Sequence, residues 1–194
     1  MCTFGKSNMK TALFGGSFDP PHVGHLEIVR RVLNLPDIER VVVVPAWLNP
    51  FKSTSCADAE TRLRWCRELF DMEGVEVDDF EVASGRRVYT VETVRELKRK
   101  YPSLSAIVIG SDNLKDIGKW RDFEKLDAQM EWIVVGRGEV ARHELERLGR
   151  YRYIEMDIPV SSSRIRAGGG REYLDKRLAA EIEEYYNNDS GENI

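Results

Sequence analysis

Four short apolar runs, each closed by a glycine or a proline, constrain this chain more than any other feature. They are Ala12-Leu13-Phe14 before Gly15, Val41 to Val44 before Pro45, Ala106 to Ile109 before Gly110, and Trp132 to Val135 before Gly136. Rich in β-branched and aromatic residues and lacking polar alternation, they suit central parallel strands covered on both faces. Val75-Glu-Val-Asp-Asp-Phe and Tyr151-Arg-Tyr-Ile-Glu-Met alternate more, as strands nearer a sheet edge do. Helical spacing fills the intervals: Leu26, Val29, Val32 and Leu33; Leu63, Cys66, Leu69 and Phe70; Val91, Val94, Leu97 and Tyr101, ending before Pro102. Leu174, Leu178, Ile182 and Tyr185 make one stripe of a last amphipathic helix, which runs into a polar tail expected to fray. Strand and helix alternating in this way mean right-handed βαβ units, an α/β fold with a doubly wound parallel sheet. Ligands of such sheets sit beyond the carboxyl ends of the strands, where the strand order reverses. That rule directs attention to the loops after Phe14, Val44, Ile109 and Asp157.

A chain of 194 residues is expected to form a single domain over 1–194, with 1–8 as a flexible extension and 188–194 as a flexible tail. With 29 Lys+Arg against 33 Asp+Glu the formal charge is −4, the wrong sign for a nucleic-acid coat but no obstacle to a nucleotide substrate. Three cysteines without a CxxC pair suggest neither a disulfide framework nor a zinc knuckle and fit a reducing cytoplasm. No apolar stretch approaches the roughly 20 residues that span a bilayer, and no signal-peptide pattern opens the chain; a cytoplasmic protein without membrane or nucleic-acid partners is expected.

After Phe14 comes Gly15-Gly16-Ser17-Phe18-Asp19-Pro20-Pro21-His22-Val23-Gly24-His25-Leu26. Glycines at a strand exit let backbone N–H groups approach a bulky anion. The two prolines deny helical geometry to the residues before them, so the next helix starts beyond them with His22 and His25 at its entrance. Such an entrance, with its unpaired N–H donors and partial positive charge, is a phosphate site. Gly24 removes a side chain that would crowd a ligand there. Two histidines alone could be structural or metal ligands, but zinc needs a third protein ligand, and no Cys or further His lies nearby. No metal site is expected. Gly5-Lys6-Ser7 lacks the first glycine of a P-loop, and neither Gly136-Arg-Gly138 nor Gly168-Gly-Gly170 makes a dinucleotide fingerprint.

The stretch GGSFDPPHVGHL resembles the signature of the HIGH-superfamily nucleotidyltransferases, specifically the nicotinate mononucleotide adenylyltransferases of NAD synthesis, and the likeness extends from Leu13 to about Arg166. It implies a Rossmann-like nucleotidyltransferase fold. Gly15, Gly16, Ser17, Phe18, His22 and His25 would then bind ATP. Lys52 would be a cation for phosphate, although Phe51 stands where relatives carry a histidine. Arg62, which alone reads as an exposed helix arginine, is a further candidate by its position in the family pattern. On physical grounds Thr90 reads as an N-cap; the resemblance adds Tyr89 and Thr90 as contacts of the pyridine ring and its carboxylate.

At the third strand exit, Gly110 permits close approach and Asp112 either caps the following helix or accepts from ribose hydroxyls; the family's GxD pair favours nucleotide binding. Trp120 could be core or could stack on a flat base, and the resemblance assigns it to the nicotinate ring. Val160-Ser161-Ser162-Ser163-Arg164-Ile165-Arg166 is a second helix entrance and resembles the family's ISSTxIR element. There Ser162, Ser163 and Arg166 are expected on ATP, with Arg164 and Arg166 both catalytic candidates beside His22, His25 and Lys52. Lys52 also joins Tyr89, Thr90 and Trp120 in the mononucleotide set.

Together these residues imply an enzyme joining the AMP of ATP to nicotinate mononucleotide, with deamido-NAD and pyrophosphate as products. Because the acceptor phosphate already carries a charged oxygen, no protein nucleophile is needed; positioning and charge neutralisation do the work. Mg²⁺ is expected on the ATP phosphates, held by phosphate oxygens and water. A homo-oligomer is compatible with the sequence. The alternatives are a nicotinamide mononucleotide or phosphopantetheine adenylyltransferase, the latter usually with Thr where His22 stands, and a non-catalytic nucleotide sensor. The C-terminal motif disfavours a cytidylyltransferase, and length disfavours a class-I aminoacyl-tRNA synthetase.

Overall fold

In the computed structural model, which describes residues 9–51, 53–136 and 142–189, the apolar runs become strands of one parallel sheet. Strands β1 (Lys10–Gly16), β2 (Ile38–Pro45), β3 (Val75–Val77), β4 (Leu104–Gly110), β5 (Glu131–Gly136) and β6 (Tyr151–Glu155) lie in the order β3-β2-β1-β4-β5-β6. The four continuous runs fill the middle and the two alternating segments form the edges, the division their burial demands. β3 is shorter than its pattern suggests. After Val77 the chain turns, with the Asp78 carboxylate accepting from the Phe80 N–H and pairing with Lys100.

The period of two along each strand supplies two cores. Ala12, Phe14, Val41, Val43, Ala106 and Val108 face one side, and Leu13, Val42, Val44, Ile107, Ile109 and Trp132 the other. Helices α1 (Val23–Leu33), α2 (Ala59–Leu69), α7 (Ser162–Arg166) and α8 (Ala179–Asp189) contribute to the first core through Leu26, Val29, Cys66, Leu69, Ile165 and Ile182. Helices α4 (Thr90–Lys100), α5 (Phe123–Gln129) and α6 (Arg142–Leu145), with a 3-10 segment over Ser111–Lys119, contribute Val94, Leu97, Leu126, Leu145, Leu114 and Ile117 to the second. The short α3 (Phe80–Ala83) follows β3. Each such aliphatic side chain, fully buried, contributes about 1.5–3 kcal/mol over exposure, which explains why both faces carry no polar alternation.

The last helix departs from its sequence pattern. Leu174 lies outside it, after a short 3-10 turn over Arg171–Tyr173, and the helix begins at Ala179. Asp175 delays the start: its side chain accepts from the Arg177 N–H, and its carbonyl accepts from Leu178 and Ala179. Leu174, Leu178 and Ile182 are nevertheless all buried. The helix continues through Asp189, beyond the point where fraying is expected; residues 1–8 and 190–194 lie outside the described residues. No helix among the described residues is long and apolar enough to cross a membrane.

Candidate active site

The strand order reverses between β1 and β4, and the loops leaving their carboxyl ends diverge to opposite sides of the sheet. A cleft of about 680 Å³ opens at this point. Its floor includes Gly15 and Gly16 of β1 and Gly110 of β4, and its walls include His22, Tyr89 and Ser162.

The loop after β1 is held from beneath by buried polar groups. Phe18 has a left-handed backbone (φ +48), which costs a bulky residue free energy, and its ring is fixed between Phe14, His25 and Phe70. The ring is therefore core, and what Phe18 offers the cleft is chiefly main chain. Asp19 is buried: its carboxylate accepts from the Cys56 and Ala57 N–H groups at 2.9 and 3.0 Å and from the Tyr186 hydroxyl at 2.6 Å. Burial and this bond to Asp19 push the Tyr186 pKa up, so it remains a donor. Arg62, expected on the surface, is completely buried. Its guanidinium donates to the carbonyls of Ser17, Ala46, Trp47 and Ala57 at 2.6–3.0 Å, tying the exits of β1 and β2 together. Burial pulls the Arg62 pKa down, opposed chiefly by the nearby Asp19 charge.

At the entrance of α1 the His22 and His25 rings stack, centroids 3.7 Å apart and planes within 20°. The His22 main-chain N–H donates to His25 Nδ1 at 3.2 Å, which fixes the tautomer, while His22 Nδ1 is buried without a hydrogen-bond partner. Desolvation lowers the His22 pKa to about 4. His25 keeps some solvent contact on the cleft side, but protein surrounds the rest of its ring. Desolvation, then repulsion from His22, lowers its pKa well below the ordinary value. As the site stands both rings are neutral near pH 7. Gly24 serves packing more than ligand access: a Cβ there would lie 2.8 Å from Val160 Cγ1 and 3.0 Å from His22 Nδ1.

The serine turn reaches the same cleft. Ser161 caps α7 by accepting from the Arg164 N–H at 3.2 Å, and Ser162 Oγ donates to the Pro20 carbonyl at 2.9 Å. Arg166 donates to the Asp19 carbonyl and, at 3.3 Å, to Ser163 Oγ. Residues 142 and 147 positions apart thus meet beside the α1 entrance. Neither Ser163, Arg164 nor Arg166 lines the cleft, however. Arg166 is committed to main chain, and Arg164 donates to the Pro159 carbonyl and approaches Glu172 at 3.9 Å. Lys52 lies outside the described residues, and the adjacent Phe51 is exposed at the rim.

The opposite end of the cleft is aromatic. Tyr89, not Thr90, caps α4: its main-chain N–H donates to Glu92 Oε1 at 3.2 Å, and Thr90 is the first helical residue. Trp120 is half-buried, its ring edge-on to Trp132 at 6.0 Å, with surface left in the cleft. Asp112 does not cap the 3-10 segment; its Oδ1 sits 2.4 Å from where a Gly110 Cβ would be and accepts from Asn113, leaving an exposed carboxylate at the cleft. Two cleft residues escape a reading of motifs. Glu81 is buried and bonded to Thr93 Oγ1 at 2.6 Å, and burial raises its pKa to about 7. Arg121 places its guanidinium carbon 4.8 Å from the Tyr89 ring centroid. Among the described residues no group of three or more His, Cys, Asp or Glu side chains could hold a metal ion.

A family model described as cytidylyltransferase-like matches residues 13–168. A protein of a Sulfurovum species named "Probable nicotinate-nucleotide adenylyltransferase" is 41% identical over 180 residues, covering 92% of this chain and 94% of its own. A protein of the same name from a Nitratiruptor species is also 41% identical, over 92% of this chain and 99% of its own. In fold the chain is similar to the nicotinic acid mononucleotide adenylyltransferase of Plasmodium falciparum solved with NaAD, at TM-score 0.79 and 22% identity over 94% of this chain and 98% of that one. The parallel sheet with its glycine-lined switch point and the full-length likeness to these relatives agree: the chain belongs to the cytidylyltransferase-like family, among its nicotinate-nucleotide adenylyltransferases.

Proposed function

We propose that the protein transfers AMP from ATP to nicotinate mononucleotide. A phosphate oxygen of the mononucleotide attacks the α-phosphorus of ATP, a P–O bond forms, the bond to the β-phosphate oxygen breaks, and pyrophosphate leaves with the electron pair. The acceptor phosphate is ionised near pH 7, so no protein base is required. One observation carries this reading: the glycine exit of β1, the α1 entrance with its paired histidines, and the Ser161–Ser162 turn all line one cleft at the switch point.

In this reading the main chain of Gly15, Gly16, Ser17 and Phe18, the first N–H groups of α1, Ser162 and the two rings receive the triphosphate. Because burial keeps His22 and His25 neutral, they act first as oriented hydrogen-bond donors, and a polyanion beside them is what favours their protonation. Arg166 is a positioning residue, reaching the phosphates through Asp19 and Ser163 rather than by a cleft-lining side chain. Gly110 and Asp112 take the nucleoside, and Trp120, Tyr89 and Thr90 the pyridine ring. Lys52 is retained as a cation for phosphate on sequence alone. Mg²⁺ fits as a companion of the nucleotide: the Asp19 carboxylate is occupied by three protein donors, so no protein cage forms, and the ion supplies charge neutralisation from phosphate oxygens and water.

The deciding experiment incubates the protein with Mg·ATP and, separately, nicotinate mononucleotide, nicotinamide mononucleotide and phosphopantetheine. The reading expects pyrophosphate and deamido-NAD from the first. No pyrophosphate with any acceptor would leave a nucleotide sensor; turnover of phosphopantetheine alone would move the chain to another branch of the family.

A further inference from the structure

The electrostatics of the cleft are uneven. Among the described residues lining it, Arg121 is the one side chain with a permanent positive charge; the other ionisable groups of note are the two neutral histidines, Glu81, Asp112 and Tyr89. Arg121 does not lie at the phosphate end. It follows Trp120 at the close of the 3-10 segment and faces Tyr89 across 4.8 Å, so its charge is braced on an aromatic face at the ring end.

Nor is that charge already paired among the described residues. Lys119 pairs with Asp116 at 2.7 Å and Lys125 with Asp122 at 3.2 Å, whereas no carboxylate forms an ion pair with Arg121. The Glu92 carboxylate, close enough to feel Arg121, is engaged by Arg86 at 2.9 Å and by the Tyr89 N–H. Glu81 turns Oε1 to Thr93, and burial keeps it part-protonated near neutrality, so it competes weakly for a cation. An exposed guanidinium with its planar fork free, over the Tyr89 ring and next in sequence to the cleft-lining Trp120, suits a planar aromatic acid: the rings take the face and the fork takes the carboxylate.

We propose that Arg121 is the acid-selecting residue of the cleft, pairing with the carboxylate of the acceptor's pyridine ring and so favouring the nicotinate over the nicotinamide mononucleotide. This rests on the function proposed above. A neutral amide would leave the guanidinium without its counter-charge, so discrimination arises from charge as well as shape.

The test compares kcat/KM for the two mononucleotides in the wild type, Arg121→Gln and Arg121→Lys, with melting temperature and ATP affinity confirming that each variant is folded. Wild type should prefer the acid. Arg121→Gln should lose roughly 10- to 100-fold in kcat/KM for the acid, the range expected for a charge-assisted pair, and change less than about threefold for the amide. Arg121→Lys should recover part of the acid-to-amide ratio, since charge returns without the fork. An unchanged ratio in Arg121→Gln, or equal losses on both acceptors, would overturn the inference while leaving the reaction standing. Failure of wild type to use either pyridine mononucleotide would instead overturn the reaction and this assignment with it.

Discussion

His22 and His25 stack 3.7 Å apart at the first turn of α1, and a hydrogen bond from the His22 main chain to His25 Nδ1 ties the two together. Each ring crowds the other out of water, which makes protonating either one costly. For His22 the folded pKa is about 4 against 6.5 for the free side chain. A depressed folded pKa gives stability that is full above 6.5 and is lost as pH falls toward 4, because the unfolded chain takes up the proton first. At pH 5 the loss from this one group is about 2 kcal/mol. Urea unfolding should show wild type losing that much more stability than His22→Gln between pH 7.5 and pH 5; parallel losses would contradict the neutral, buried ring.

Arg62 gives a second prediction. Arg62→Met removes four donors and leaves the carbonyls of Ser17, Ala46, Trp47 and Ala57 without their partner. The cost should be at least about 3 kcal/mol, since a buried acceptor left unsatisfied costs about 1–3 kcal/mol and several are left here. Denaturant midpoints decide it, and a loss under about 1 kcal/mol would remove Arg62 as the anchor of the two strand exits.

Glu81 titrates in the opposite sense to His22. Its folded pKa, about 7, lies above the unfolded 4.5, so its stabilising contribution is present below 4.5 and is lost as pH rises through 7. The full span is about 3 kcal/mol. Glu81→Gln keeps a partner for Thr93 without the charge, and should match wild type near pH 4.5 but exceed its stability at pH 8. Equal stabilities at both pH values would show that the carboxyl is not desolvated.

Much of the fold is readable from the sequence, because strands buried on both faces leave continuous apolar runs and edge strands leave alternation. The switch-point rule likewise leads from Phe14 and Ile109 to the cleft. Arg62 shows what is hard to read: its partners are main-chain carbonyls up to 45 residues away, which carry no side-chain signature. One signal is present, since Arg62, Cys66 and Leu69 fall at i, i+4 and i+7 on the buried face of α2. The position of the cap at Tyr89 and the delayed start of α8 depend on local hydrogen bonds that several sequences could make, and the commitment of Arg166 to Asp19 is a contact 147 positions apart with a main-chain carbonyl that carries no side-chain signature. Arg121 belongs to no motif, because its meaning comes from Tyr89, 32 residues earlier in the chain.

Trp120 tests the ring end of the cleft. Its edge contact with Trp132 leaves indole surface toward the pocket, so Trp120→Ala should chiefly raise KM for the mononucleotide, by about 5- to 100-fold for the loss of one stacked ring. KM for ATP should move little. Steady-state kinetics with each substrate varied in turn separates the two, and an unchanged mononucleotide KM would refute stacking.

The central claim, that the phosphates react at the α1 entrance, is tested most directly by the rate of AMP transfer in folded His25→Ala, read as pyrophosphate release with Mg·ATP and nicotinate mononucleotide saturating. Removing an oriented donor from the entrance of α1 should slow turnover by about 100-fold or more while unfolding remains cooperative. Undiminished turnover in a folded variant would mean that the phosphates react somewhere other than beside these two rings.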